Sequence, residues 1–533
     1  LSGKDRRARK INYIFLNASP TNTIDVVYPT IVFSDNSWND YGCETTFNAS
    51  LCLSKEKNTI LGMVHISTLT RKSVGSGIFS MLDFLKSKKM VNKLLTSFQS
   101  DLVLLGDLDY YTKLTKNFPS YSKEVFKDTN DIAFNTEIYN RSKDNEIVRT
   151  SFLRFTNENT ILGQFHRIAN GGSENISSNF RISFATNNIN NSDSSKNMEL
   201  HTNPDSVLPS NVFALIGNNG VGKTSLLQDI LLAASEMNRP IESKFMPNYS
   251  VTFSNDNKNN IENKISNIVY ISYSSFDYYD KRFTDKVEKS SNNNIFFLSN
   301  RDKKDINKVI SPNEVGYRIE KDLEWIFYSP EKEKLVDIFK ENFQWDQELN
   351  NFIDEAEKVS YATDIEGKRT ALQRLAAELS SGQKIILSII TSLINYASEN
   401  SLFIIDEPEA YLHAPYVLSI ISTINDIVRE ENSIALIATH SSIVIQELTK
   451  KNVFHIIKQN KEKFFQNPKI ETFGTDMQTI SNEIFGLDTR STGFYRILRD
   501  LALNSPEKIQ DLENKKLLGE DALIYLSIFE ETD

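Results

Sequence analysis

Four short groups of residues have the types and spacing that phosphate chemistry requires. Gly217-Asn218-Asn219-Gly220-Val221-Gly222-Lys223-Thr224 spells G-x-x-x-x-G-K-[ST]. Glycines at this spacing let backbone N–H groups turn inward around phosphate oxygens. A helix starting at the lysine adds its positive N-terminal end. The second group closes the apolar run Leu402-Phe403-Ile404-Ile405 with Asp406-Glu407. The third is Leu379-Ser380-Ser381-Gly382-Gln383, and the fourth is Thr439-His440-Ser441.

The first group predicts nucleoside triphosphate binding, with ATP and Mg2+ as cofactors. Lys223 would pair the β and γ phosphates, and the Thr224 hydroxyl would hold Mg2+. Asn218, Asn219, Gly220, Gly222 and Ser225 would line the same nucleotide. A Gly-rich structural turn is the competing explanation. The apolar run 212–216 before the loop and the amphipathic run 223–235 after it favour nucleotide binding. Phosphoryl transfer also needs an anionic metal anchor and a group that positions water. Asp406 fits the first role and Glu407 the second, at the carboxyl end of a buried strand. The hydroxyls of Ser380 and Ser381, with Gly382 and Gln383 at the start of a helix, make an anion site. His440 follows the apolar run 434–438, where a structural role and a contact with the bound phosphates are both open.

The elements that must position these residues are legible in outline. Short apolar or β-branched runs at 28–33, 45–52 and 60–67 predict strands. Helical spacing follows over 77–130, and strand character returns over 150–185. Residues 186–206, rich in Asn and Ser, predict a surface loop or hairpin tip. The stretches 254–265 and 289–308 read as loops, and 312–375 as mostly helical. Strands are expected at 212–216, 267–272, 402–405, 434–438 and 453–457. Asp107-Leu108-Asp109 reads as a helix start rather than a metal site.

The chain has 533 residues, 39% hydrophobic and 24% charged, which fits several globular units. No run of about 18 apolar residues is present, so no membrane helix is expected. No apolar segment follows the basic residues Lys4 to Lys10, so a secretory signal is not expected and the chain reads as cytoplasmic. Seventy acidic against sixty basic residues give a net charge of −10. That balance weighs against whole-molecule attraction to nucleic acid, although a local basic surface stays open. Two cysteines and six histidines show no metal-ligand spacing.

Taken together, these motifs resemble the ABC and SMC ATPases. Leu379 to Gln383 is similar to the family signature. Asp406-Glu407-Pro408-Glu409-Ala410-Tyr411-Leu412-His413 is similar to the Walker B block of the RecF and OLD branch, and His440 to the family's histidine switch. The resemblance implies an α/β fold: an ABC-type P-loop ATPase head with mixed β-sheet, a short helical insertion and an added N-terminal α+β region. The expected division is an N-terminal region over 1–160, partly joined to the ATPase sheet, and an ATPase lobe over 161–310. A helical insertion over 311–378, a signature and Walker B segment over 379–470 and a helical tail over 471–533 follow. The resemblance further implies an ATP-sandwich homodimer, in which the signature of one copy completes the nucleotide site of the other. The family's Q-loop glutamine is missing: the chain reads Val269-Tyr270-Ile271-Ser272-Tyr273-Ser274-Ser275, and Ser272 or a neighbour would take that role. An SMC coiled coil does not fit between Thr224 and Leu379, and no Glu…Asp-x-Asp set of an OLD nuclease follows His440.

Ser37 to Gly42 with Thr45-Thr46-Phe47, Gly106 to Tyr111 and Asn130 to Phe134 resemble the PtuA family of Septu and retron-linked antiphage ATPases. This implies a PtuB-like HNH nuclease as partner. A reverse transcriptase with retron RNA–DNA is added in the retron-linked form. A RecF-like DNA repair ATPase is the alternative reading. A transporter subunit is a third, weakened by the missing glutamine and the long N-terminal block.

Overall fold

The computed structural model describes residues 10–526 apart from 18–26, 37, 39–41, 72, 74–77, 154–155, 157, 175, 177, 187–195, 204, 256–264, 274–278, 289–293, 303–304, 307, 330, 361–364, 411, 460–461, 486–492, 520–521 and 524. Ser274, Ser275, Tyr411, Asn39 to Tyr41 and the basic residues before Lys10 therefore lie outside it. In the N-terminal part the strands are β1 (Asn12–Leu16), β2 (Thr30–Asp35), β3 (Cys43–Glu44), β4 (Thr46–Cys52), β5 (Asn58–Thr68), β6 (Phe79–Ser80) and β7 (Leu102–Gly106). Then come β8 (Asn179–Thr186), β9 (Asn197–His201), β10 (Val212–Ile216), β11 (Ile241–Glu242), β12 (Tyr249–Asn255), β13 (Ile268–Ser272) and β14 (Ile295–Ser299). The last four are β15 (Leu402–Asp406), β16 (Ile434–Thr439), β17 (Val453–Gln459) and β18 (Glu462–Gln466).

A seven-stranded sheet in the order β14-β13-β15-β16-β10-β17-β18 carries the motifs. All its neighbours run parallel except β17 and β18. Its central strands are buried at every position, as near-continuous apolar runs require when both faces are covered. Alternate residues serve two layers. Ala214, Ile271, Ile405 and Ile437 face a core shared with the helices 381–396 and 414–430. Leu215, Tyr270, Ile404 and Leu436 face a core shared with the helix 223–235. That second core also takes in β8, β9 and β12 of a four-stranded antiparallel sheet.

The N-terminal strands form their own five-stranded sheet, β1-β2-β4-β5-β7. The expected partial merger of 1–160 with the ATPase sheet is therefore corrected. The two parts meet through side chains instead. Trp38 packs edge-on against Trp325 at 5.1 Å and is buried in the core that one face of the seven-stranded sheet shares with the helices 381–396 and 414–430. The boundary at 160 also shifts. Ile161, Phe165, Ile168 and Ala169 pack on the N-terminal core. Their spacing of four, three and one is helical, so 158–169 forms helical turns where strand character was expected. Leu102–Gly106 is a strand inside a stretch read as helical, and Ile295–Ser299 is an edge strand inside a stretch read as loop. Five-residue apolar runs are too short for periodicity to separate the two classes. Among the described residues no helix is long and apolar enough to cross a membrane.

Asp107 starts the helix Leu108–Asn117, as expected. Its carboxylate accepts from Tyr110 N at 2.7 Å and from Met63 N at 2.6 Å. Asp131, fully buried, accepts from the Tyr111 hydroxyl, Ala133 N and Phe134 N. Burial pushes both carboxyls up to about 7, against these hydrogen bonds. The folded chain then binds protons that the unfolded chain has released between about pH 4 and pH 7. Stability contributed by these groups is fully present below pH 4 and falls as pH rises through that window. Asp131→Asn keeps an acceptor for Ala133 N and Phe134 N and removes the charge. It is expected to flatten the pH slope and to stabilise the fold at pH 8 by on the order of 2 kcal/mol. Denaturant midpoints from pH 5 to pH 8 check this; an unchanged slope would refute it.

Candidate active site

Parallel register brings the motifs to one edge of the sheet. Ile216 pairs with Thr439, Asp406 with Ala438, and Ser272 with Asp406. The loop 217–222 leaves β10 at this edge and enters the helix Lys223–Ser235. Gly220 and Gly222 have φ of +76° and +102°, the left-handed region that a side chain would strain. Asn218, Asn219 and Gly220 are exposed at the loop tip, while Thr224 and Ser225 are half-buried at the helix start. Lys223 is only 5% exposed. Its ammonium donates to Gly217 O at 3.3 Å and contacts His440 Nε2. Burial lowers the Lys223 pKa, opposed by Glu407, Asp406 and Glu409.

Asp406 ends β15, 3% exposed, with the Tyr270 hydroxyl 3.5 Å from its Oδ2. Glu407 extends the ladder by one bond, N–H to Ala438 O at 2.9 Å, and then turns left-handed with φ +49°. Such a backbone is uncommon for glutamate and holds its carboxylate at the mouth of the site. Glu407 Oε1 lies 3.2 Å from His440 Nε2. That hydrogen bond holds the Glu407 pKa below the usual range, with the charges of His440 and Lys223 assisting against partial burial. A single Nε2 cannot accept from Lys223 and donate to Glu407 at once. An anion that draws Lys223 toward itself therefore leaves the imidazole N–H to the carboxylate.

Glu409 was not among the expected site residues, yet it fixes the histidine turn. Its Oε1 accepts from Thr439 Oγ1 at 2.6 Å and from His440 N at 2.8 Å. The available signal was a third carboxylate two residues beyond Glu407. Glu409→Ala is expected to lower stability by about 1–3 kcal/mol, because both donors lose a charged acceptor. ATP turnover should fall about tenfold or more through a loosened His440. Melting midpoints and phosphate release measure the two effects; unchanged turnover at a lowered midpoint would confine Glu409 to the fold. Tyr270 is a second missed neighbour, on the strand where the Q-loop glutamine was sought. Ser272, the expected substitute, is fully buried beside Asp406.

Ser380 caps the helix Ser381–Tyr396 in a reciprocal capping box with Gln383. Ser380 Oγ accepts from Gln383 N at 3.3 Å, and Ser380 N donates to Gln383 Oε1 at 2.9 Å. The Gln383 amide also donates to Glu348 Oε2 at 3.2 Å, and the side chain is 4% exposed. Gln383 is thus corrected from a nucleotide-facing residue to one that builds the turn. Ser380 and Ser381 are exposed and Gly382 is half-buried. Asn267 Nδ2 ties Tyr396 O, at the far end of this helix, to the start of β13. Among the described residues no hydrogen bond links Ser380–Gly382 to the loop 217–224.

Among the described residues no cluster of three His, Cys, Asp or Glu could hold a metal. The Thr224 hydroxyl and the Asp406 carboxylate are hard oxygen donors. They suit Mg2+, which binds through one or two protein oxygens plus phosphates and water.

Residues 212–446 match the family model described as "AAA domain, putative AbiEii toxin, Type IV TA system". Protein ea59 of Escherichia phage lambda is 26% identical over 490 residues, 87% of each chain. A nucleotide-free ATP-binding cassette from an ABC transporter is 13% identical, over 59% of this chain and 97% of that one, with a TM-score of 0.28. An SmcHead bound to the C-winged helix domain of ScpA is 13% identical, over 55% and 97%, with a TM-score of 0.26. The family match and the strand–loop–helix that carries Lys223 agree: the chain contains an ATP-binding, ATP-hydrolysing P-loop domain.

Proposed function

We propose that two copies of this chain close on ATP, each offering Ser380, Ser381 and Gly382 to the nucleotide held by the other. The observation that carries this reading is the exposed, capped turn at 380–382, an anion-binding helix start with no bond to its own phosphate loop among the described residues. The loop N–H groups and Lys223 hold the phosphates, and Thr224 and Asp406 hold Mg2+. Glu407 aligns and polarises water, and His440 senses the γ-phosphate. The closed state is long-lived with ATP and opens after hydrolysis. Native mass measurement of Glu407→Gln with and without ATP tests this; a monomer under both conditions would refute the pairing.

The closed pair governs a nuclease effector in antiphage defence. Support comes from the resemblance in the N-terminal block, although Trp38, Asp107 and Asp131 there also have structural work. The phage lambda relative aligns with 87% of this chain, so a protein of related sequence also occurs in a phage. An HNH nuclease is the expected partner, with a reverse transcriptase and its RNA–DNA product in a retron-linked setting. The family description names a putative toxin of a type IV TA system and supports a second reading, a toxin. Growth of cells expressing the chain alone, or with an HNH nuclease, separates them: toxicity without the nuclease favours the second.

A further inference from the structure

We propose that Lys463 is a second nucleotide-binding cation, reaching the α-phosphate and ribose end of the nucleotide from the flank opposite Lys223. This inference rests on the nucleotide site read above and adds a residue that no motif contains. A Cβ built on Gly222, the last glycine of the phosphate loop, would lie 3.1 Å from Lys463 Nζ. The ammonium therefore fills the space that the missing side chain leaves, directly against the loop. Gly222 thus meets two demands, its φ of +102° and the close approach of a cation.

The sheet order assigns the end of the nucleotide. Lys223, His440, Glu407 and Asp406 cluster on the β15 and β16 side of β10. That is where the γ-phosphate and its metal belong. Lys463 sits on β18, beyond β17, on the opposite side of β10. It approaches the same loop from the end at which the chain of phosphates meets the sugar.

The surroundings of Lys463 leave it short of negative charge. Its Nζ donates to Phe245 O at 2.7 Å and lies 4.0 Å from the Phe245 ring centroid. Among the described residues no carboxylate forms an ion pair with it. Directly across the antiparallel ladder stands Lys458, a like charge. Burial, with Lys458 assisting and Asp229 opposing, lowers the Lys463 pKa. An ammonium has three N–H donors, and Phe245 O takes one. A phosphate oxygen supplies both the missing acceptor and the missing charge.

The test is nucleotide affinity of the full-length chain by calorimetry. Lys463→Met keeps the aliphatic stem and removes the charge. It is expected to weaken ATP and ADP by the same factor, about tenfold, because both share the α-phosphate end. Lys463→Arg should restore most of the loss. Unchanged affinity, or a loss confined to ATP, would overturn the proposal. Protection of Lys463 from an amine-modifying reagent by ADP, read by mass spectrometry on the unmutated chain, does not depend on folding of a variant. Protection is expected, and equal labelling with and without ADP would overturn the proposal. Nucleotide binding retained in Lys223→Ala would instead sink the site reading itself.

Discussion

Glu407→Gln is expected to cut ATP turnover by about a hundredfold or more while leaving ATP bound and the pair closed. The substitution preserves shape. Glutamine adopts the same left-handed backbone at comparable strain, and the N–H bond to Ala438 O at 2.9 Å is untouched. What disappears is the negative charge facing Lys223 and His440. That charge is present at neutral pH, because the His440 hydrogen bond keeps the carboxyl below its ordinary range. A neutral amide cannot accept a proton from water or polarise it. Phosphate release together with native mass in ATP reads both halves of the prediction. Turnover equal to the unmutated chain would remove Glu407 from the chemistry.

Lys223→Ala should lower ATP affinity by about a hundredfold or more. The same change should leave the nucleotide-free fold as stable or slightly more stable. The Lys223 ammonium is almost fully buried, and burial lowers its pKa, so its desolvation is a cost that a bound anion offsets. Binding and stability therefore move apart, which a generally damaged protein would not show. A mixing experiment extends the test. Lys223→Ala and Gly382→Asp chains should each be inactive alone. Their mixed pairs contain one site with an intact loop and an intact signature, so turnover should recover to about a quarter of normal. No recovery on mixing would place both motifs in one subunit's site.

The motifs themselves were readable because each is local. A phosphate loop, a capped helix start and a strand ending in carboxylates are runs of eight residues or fewer, whose chemistry follows from neighbours in the chain. The same holds for the helix 223–235, whose bounds matched the reading. Legibility failed where packing decides. Leu102–Gly106 and Ile295–Ser299 are apolar runs that become strands only because a sheet edge accepts them. Residues 161–169 join the N-terminal core by a helical face that the strand-like composition of 150–185 concealed.

Sequence alone pointed to a bound triphosphate and nominated Lys223, Asp406 and Glu407 for it, since a phosphate loop and carboxylates at a strand end are local patterns of spacing and charge. Tertiary structure decided the rest of the site. Only parallel register sets Glu409 beneath His440 and Tyr270 beside Asp406. Only the sheet order carries Lys463, some 240 residues beyond the loop in sequence, back against Gly222. Such contacts depend on which strands become neighbours, a choice made by burial of whole faces and invisible to any short run of residues.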